Sequence, residues 1–291
     1  MKTNRFELLM LGVVLFYSQM GFSQKDVHVD DFHKIGESHA SFRYKLEIVN
    51  DTSKKERKDI DYLILQIGEG LSRSYSFHLY QHDSLCSAWV YKGKDAVPSK
   101  PGNFSFPIDV YKNHAEQKIT VLHRSPGTGP ILQYVETLPL MQWEILPDSK
   151  VVLGYSCRKA TCIFKGRTWN AWFTTDIPYS EGPWKFCGLP GLILQVEDER
   201  GWFSFICNSI SNSKEDILMM EDQYYQQSTC KEANELVELF YYDALSYLKR
   251  IYPEIEQAPV VSKQDASGKL VRVKNTDNMK ITSPYNPIEL E

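Results

Sequence analysis

GYSCRKATCIFKGRTWNAWFTTDIPYSEGPWKFCGLPGLILQVEDERGWFSFIC, residues 154–207, decides how this chain folds. Ser156 to Phe164 is strand-like, Lys165-Gly166 is a tight turn, and Trp169 to Thr174 follows at once, which predicts a hairpin. Leu192 to Val196 and Trp202 to Ile206 flank EDERG, where Asp198 to Gly201 can reverse the chain, which predicts a second hairpin. Between them lies an elbow. Pro190 fixes its own φ, Leu189 is pushed towards an extended form, and Gly188 and Gly191 are free to take positive φ. The stretch also holds four of the six cysteines and four of the six tryptophans.

Outward from this core, Ser41 to Val49 sets Phe42, Tyr44, Leu46 and Ile48 on one face against Arg43, Lys45 and Glu47 on the other. That is the alternation of a half-buried antiparallel strand. Tyr62 to Ile67 and Arg73 to Tyr80 read as the next two strands, with Gln24 to His39 a polar lead-in and 81–118 an irregular insertion. Lys118 to Leu122 and Ile131 to Val135 are strands separated by the SPGTGP turn at 125–130. Thr229 and Glu232 have the spacing of a capping box, apolar residues recur near a 3.6 period from Ala233 to Ile251, and Pro253 stops the run. These signals predict a mainly β fold bordering on α+β: a curved antiparallel sheet with one long C-terminal helix, 229–252, packed on it.

At the start of the chain, Lys2 and Arg5 precede the apolar run Leu8 to Tyr17, and the small residues Gly21 and Ser23 suit a cut after Ser23. This describes a secretory signal peptide over 1–23, too short to span a bilayer. The predicted organisation is therefore a leader, a single β-rich domain over 24–257 and an extended tail over 258–291. No second stretch is long and apolar enough to cross a membrane. The net charge of −4 becomes −5 without Lys2, Arg5 and Glu7, which argues against a nucleic-acid binder. In an exported chain an even cysteine count predicts disulfides among Cys86, Cys157, Cys162, Cys187, Cys207 and Cys230. Cys187 and Cys207 flank the last hairpin and are candidate partners; Cys157 and Cys162, five apart, point to opposite faces of a regular strand.

Catalytic signatures are missing. GYSC at 154–157 lacks the nucleophile elbow because Arg158 stands where a glycine is needed. Cys157 and Cys187 have cations nearby in sequence, yet no histidine lies within 30 residues of Cys157. There is no HExxH, CxxC or EF-hand loop, and no metal or cofactor is implied. Asp176 and Glu181 flank the elbow and are the acid pair a hydrolase would use. The alternative surface is aromatic: Trp169, Trp172 and Trp184 with Arg167, Asp176 and Lys185 form a candidate ligand groove, weighed against plain core packing by the same residues. Trp169 and Trp172, three apart, face opposite sides of a strand. Gly188, Pro190 and Gly191 are assigned a mechanical role in the elbow.

GYSCRKA, FKGRTWNAWFTTDIP and GPWKFCGLPGLIL together resemble the hallmark of the GLPGLI family, whose name is spelled here by residues 188–193; NPIEL at 286–290 adds a looser likeness. The resemblance implies an exported protein of the Bacteroidetes envelope, some relatives being encoded near TonB-dependent receptors, and transfers no catalytic residues. The strand, acidic-turn and aromatic pattern is also similar to lipoprotein carriers, which fold as a curved antiparallel sheet with helices inside it. The expectation is a binding or accessory protein in the periplasm, at the periplasmic face of the outer membrane, or secreted. Its expected partner is an outer-membrane transporter or another envelope protein. A periplasmic hydrolase and a purely structural protein are the alternatives.

Overall fold

The computed structural model describes residues 31–91, 106–127, 129–212, 214–253, 261–264, 270–273 and 284–290, with only the backbone described at 89–91, 261–264 and 270–273. The signal-peptide assignment over 1–23 lies outside the described residues. Contacts divide the chain into two units: Lys25–Arg124, Ile131–Cys230 and Asn286–Glu291 form one, and the other holds Ser125–Pro130 and Lys231–Tyr285.

The first unit is built on one sheet. Its strands are β1 (Phe32–Ile48), β2 (Asp59–Gly68), β3 (Leu71–Ser76), β4 (Ile108–Asn113), β5 (Lys118–Arg124), β6 (Ile131–Thr137), β7 (Glu144–Val152), β8 (Tyr155–Phe164), β9 (Arg167–Thr174), β10 (Leu192–Asp198), β11 (Phe203–Ser211), β12 (Asp216–Met220) and β13 (Tyr225–Gln227). The order is β13-β6-β5-β4-β3-β2-β1-β11-β10-β9-β8-β7, with β12 paired to β1. All pairs are antiparallel except the parallel contact of β13 with β6. Both predicted hairpins are present, β8–β9 and β10–β11. In β1 the predicted alternation holds: Phe42, Tyr44, Leu46 and Ile48 are buried, while Arg43, Lys45 and Glu47 are half-buried.

The sequence prediction differs from the structure in several places. The predicted irregular insertion over 81–118 contains β4, which pairs with β3 on one side and β5 on the other. β1 begins at Phe32, inside the predicted lead-in, because β12 supplies a partner for its first half. The third strand stops at Ser76, whose hydroxyl accepts from the Leu79 amide at 3.1 Å and starts helix α1 (Phe77–Tyr91). α1 packs on the sheet through Phe77 and His78, which meet Arg43 and Tyr62. The long C-terminal helix is two helices, α2 (Cys230–Tyr242) and α3 (Ala244–Ile251). Asp243 interrupts them: its carboxylate accepts from the amide and hydroxyl of Ser246, capping α3 instead of continuing α2.

Within the second unit, Phe240 packs edge-on against Tyr247 at 5.2 Å and Tyr241 stacks on Tyr285 at 4.3 Å. The Tyr247 hydroxyl donates to the carbonyl of Pro126 at 2.6 Å, so the SPGTGP turn is the seat of a helical tyrosine. Strands β14 (Val261–Gln264) and β15 (Leu270–Val273) pair with each other. Among the described residues no helix is long and apolar enough to cross a membrane.

The expected disulfides are absent: all six cysteines are free thiols. Register explains why. Cys157 stands opposite Lys150 and Cys162 opposite Trp169, on opposite faces of β8 as their spacing requires. Cys207 lies opposite Tyr44 on β11, whereas Cys187 bridges to Glu181 inside the elbow. Cys86 sits on α1 beside His82, and Cys230 opens α2 beside Glu289. Denaturing mass spectrometry of unreduced protein with a thiol label should therefore find six labels per chain. Four or fewer would show a disulfide and contradict this arrangement.

Candidate functional site

The elbow, residues 175–191 between β9 and β10, lies over the strands of the first half of the chain. It is held there by two buried clusters of charge. Lys112, on β4 and fully buried, donates to the carbonyls of Gly182 at 2.9 Å and Phe186 at 2.8 Å. Its ammonium also pairs with the buried Glu181 at 2.5 Å, and His114 from the end of the same strand contacts the other oxygen of that carboxylate. Burial would push the Glu181 carboxyl up, but the Lys112 charge and the hydrogen bonds from His114 and Lys112 outweigh it and hold the group below its ordinary range. Glu181 therefore stands as the counter-ion of Lys112.

The second cluster surrounds Lys185, which is also fully buried. It pairs with Glu136 of β6 and with Glu289 at 2.5 Å, and Lys165 of the β8–β9 turn reaches the same two carboxylates at 2.6 and 3.3 Å. The Cys230 thiol donates to Glu289 at 3.5 Å. Glu136, Cys230 and Glu289 place ligand atoms within 4.8 Å of one another, close enough for a metal ion. Charge argues against one. Two lysines already neutralise the two glutamates, and burial followed by the Glu289 charge raises the thiol to about 11, so it stays protonated. A cation would have to displace both ammonium groups.

An aromatic wedge fills the space beneath. Trp184 meets Phe186 at 5.2 Å and Phe164 at 5.7 Å, and Trp169 meets Phe186 at 4.8 Å, close to Phe203 and Phe205. Trp184 holds φ at 52°, a left-handed conformation rare for a bulky residue, and its amide donates to the Ser74 hydroxyl at 3.1 Å. Gly188 and Gly191 both have positive φ, 91° and 151°. At Gly191 an added Cβ would stand 2.0 Å from the carbonyl oxygen of Thr174.

The candidate groove residues are therefore mostly buried and do not share one open face. Trp169, Trp184 and Lys185 are fully buried, and Arg167 is buried on Asp198. Trp172 is on the other face of β9, half-buried, with the Lys150 ammonium 4.3 Å from its ring centroid. Asp176 is exposed, well separated in environment from the buried Glu181. Lys112, His114, Glu136, Lys165 and Glu289 were missed as elbow partners. Lys112 and His114 stand 69 and 67 residues before Glu181, and no local pattern marks such a pairing.

Near Lys185, His123 is buried on β5. Burial, then the Lys185 charge, lowers its imidazole to about 4. The unfolded chain protonates a histidine near pH 6.5, so this group favours folding above that pH and the benefit is lost as pH falls towards 4. The loss should reach roughly 3 kcal/mol at about 1.36 kcal/mol per unit. Urea melts of the wild type and His123→Gln at pH 7 and pH 4.5 check this: the wild type should lose more stability than the variant, and equal losses would contradict it.

A family model described as a protein of unknown function, Porph_ging, matches residues 163–195, a stretch that contains Gly188–Ile193. No curated protein matches the chain. Among solved structures, PNGF-II, in two crystal forms, is similar at 12% identity with a TM-score of 0.44, over 71% of this chain and 34% of that one. The chain thus spans about a third of PNGF-II. An uncharacterized conserved protein from Thermus thermophilus is similar at 9% identity with a TM-score of 0.31, over 66% of this chain and 91% of that one.

Proposed function

We propose that this chain is an exported, non-catalytic binding or accessory protein of the cell envelope, serving an outer-membrane transporter. The buried pairing of Glu181 with Lys112 and His114 carries the preference for binding over hydrolysis. A hydrolase working through Asp176 and Glu181 needs one acid that keeps its proton near neutrality. Glu181 is held ionised by Lys112 and His114, and Asp176 is exposed to water. The leader-like start of the chain and the GLPGLI-type elbow support the envelope assignment. The sheet is taken to curve round the elbow: the Lys165–Glu136 pair joins the β8–β9 turn to β6, although seven strands, β5 to β10 in sheet order, separate β9 from β6.

Cross-linking in intact envelopes tests the function. Tagged full-length chain should be recovered cleaved after Ser23 and cross-linked reproducibly to an outer-membrane receptor, and Glu181→Gln should leave that cross-link in place. A purified protein that hydrolyses a substrate, and stops doing so in a folded Glu181→Gln variant, would overturn the proposal.

A further inference from the structure

The last described residues, Asn286 to Leu290, belong to the strand unit, although Lys231–Tyr285 before them cluster separately. They are read in detail. The Arg167 guanidinium donates to the Asn286 side-chain oxygen at 2.7 Å, to the Ile288 carbonyl at 3.0 Å and to the Pro287 carbonyl. Its third nitrogen pairs with Asp198 at 3.1 Å, which fixes the fork. The Asn286 amide donates to the Val49 carbonyl at 2.9 Å, so both ends of that side chain are recognised. Ile288 is buried, and Glu289 lies between Lys185 and Lys165. The Leu290 amide donates to the Lys165 carbonyl at 3.1 Å.

This is how a peptide site is built. The segment has no strand ladder of its own, and its specificity comes from side-chain readout by groups fixed on β9, the β8–β9 turn and the elbow. We propose that Arg167, Lys165 and Lys185 form a peptide-recognition groove. It takes a short irregular segment carrying asparagine and, three residues on, a carboxylate, and the chain fills it with its own Asn286–Leu290 as an exchangeable ligand. The cis segment holds the groove through its high effective concentration, and a free peptide of the same chemistry competes once the tether is cut. The inference is independent of the envelope assignment.

The test uses the full-length chain with a specific protease site inserted between Val273 and Pro284, cut after folding. A fluorescein-labelled peptide of sequence SPYNPIELE should bind the clipped protein, displace the clipped segment and bind the uncut protein at least tenfold more weakly. Peptides carrying Asn286→Ala or Glu289→Gln should each bind the clipped protein at least tenfold more weakly than the parent. Clipped protein that keeps its own segment without exchange would show the segment to be fixed core. Clipped protein that loses its segment yet ignores the labelled peptide would also overturn the proposal, as would equal binding of the Glu289→Gln peptide.

Discussion

Lys112→Met should destabilise the strand unit by about 3–5 kcal/mol, read as a large drop in the urea midpoint followed by tryptophan fluorescence. Methionine matches the length of the lysine stem, so packing loss is small and electrostatics decides the outcome. The variant strips Glu181 of its buried ammonium and leaves it with the half-buried His114. It also leaves the carbonyls of Gly182 and Phe186 without the donor they share. A buried charge losing its partner costs far more than a surface ion pair contributes, which is why this position outranks Lys54 on the exposed 51–54 turn. Adding Glu181→Gln to Lys112→Met removes the orphaned charge and should restore part of the loss. A change below about 1 kcal/mol for Lys112→Met would mean that the elbow does not depend on this pair.

Gly191→Ala should abolish soluble folded protein, with a penalty above about 3 kcal/mol. Two effects act together. The backbone φ of 151° disfavours any side chain, and the new Cβ would lie 2.0 Å from the Thr174 oxygen and 2.7 Å from its carbonyl carbon. Both obstacles are main chain at the point where β9 ends and β10 begins, so no rotamer change relieves them. Gly188→Ala is the internal control. It also has positive φ, but its Cβ would meet nothing closer than Trp143 at 3.9 Å. It should cost about 1–2 kcal/mol, the strain of a left-handed alanine alone. Comparable yields for the two variants would contradict the close approach at Gly191.

The parts of this fold that local chemistry dictates were legible. β1 announced itself by alternation, both hairpins by their turns, and the elbow by Pro190 between two glycines with positive φ. The misreadings have local and long-range causes. Ser76 and Asp243 are single polar residues whose side chains start a helix where apolar spacing ran on unbroken. The even cysteine count suggested disulfides, but pairing depends on register, and register places Cys157, Cys162 and Cys207 against Lys150, Trp169 and Tyr44. The site was the least legible part. Lys112, His114, Glu136 and Glu289 come from three distant segments, and only the assembled sheet brings them to the elbow. Two of the tryptophans that looked like a groove, Trp169 and Trp184, are spent on core packing.

The central claim is that the elbow carboxyl, Glu181, is a fixed counter-ion and not a proton carrier. A carbon-13 titration of the glutamate side-chain carboxyls, with Glu181 assigned by its absence in Glu181→Gln, tests this directly. The structure predicts a midpoint below that of an ordinary glutamate, with no proton taken up near neutral pH. A midpoint raised above the ordinary value, towards neutrality, would contradict it and return Glu181 to the role of a general acid.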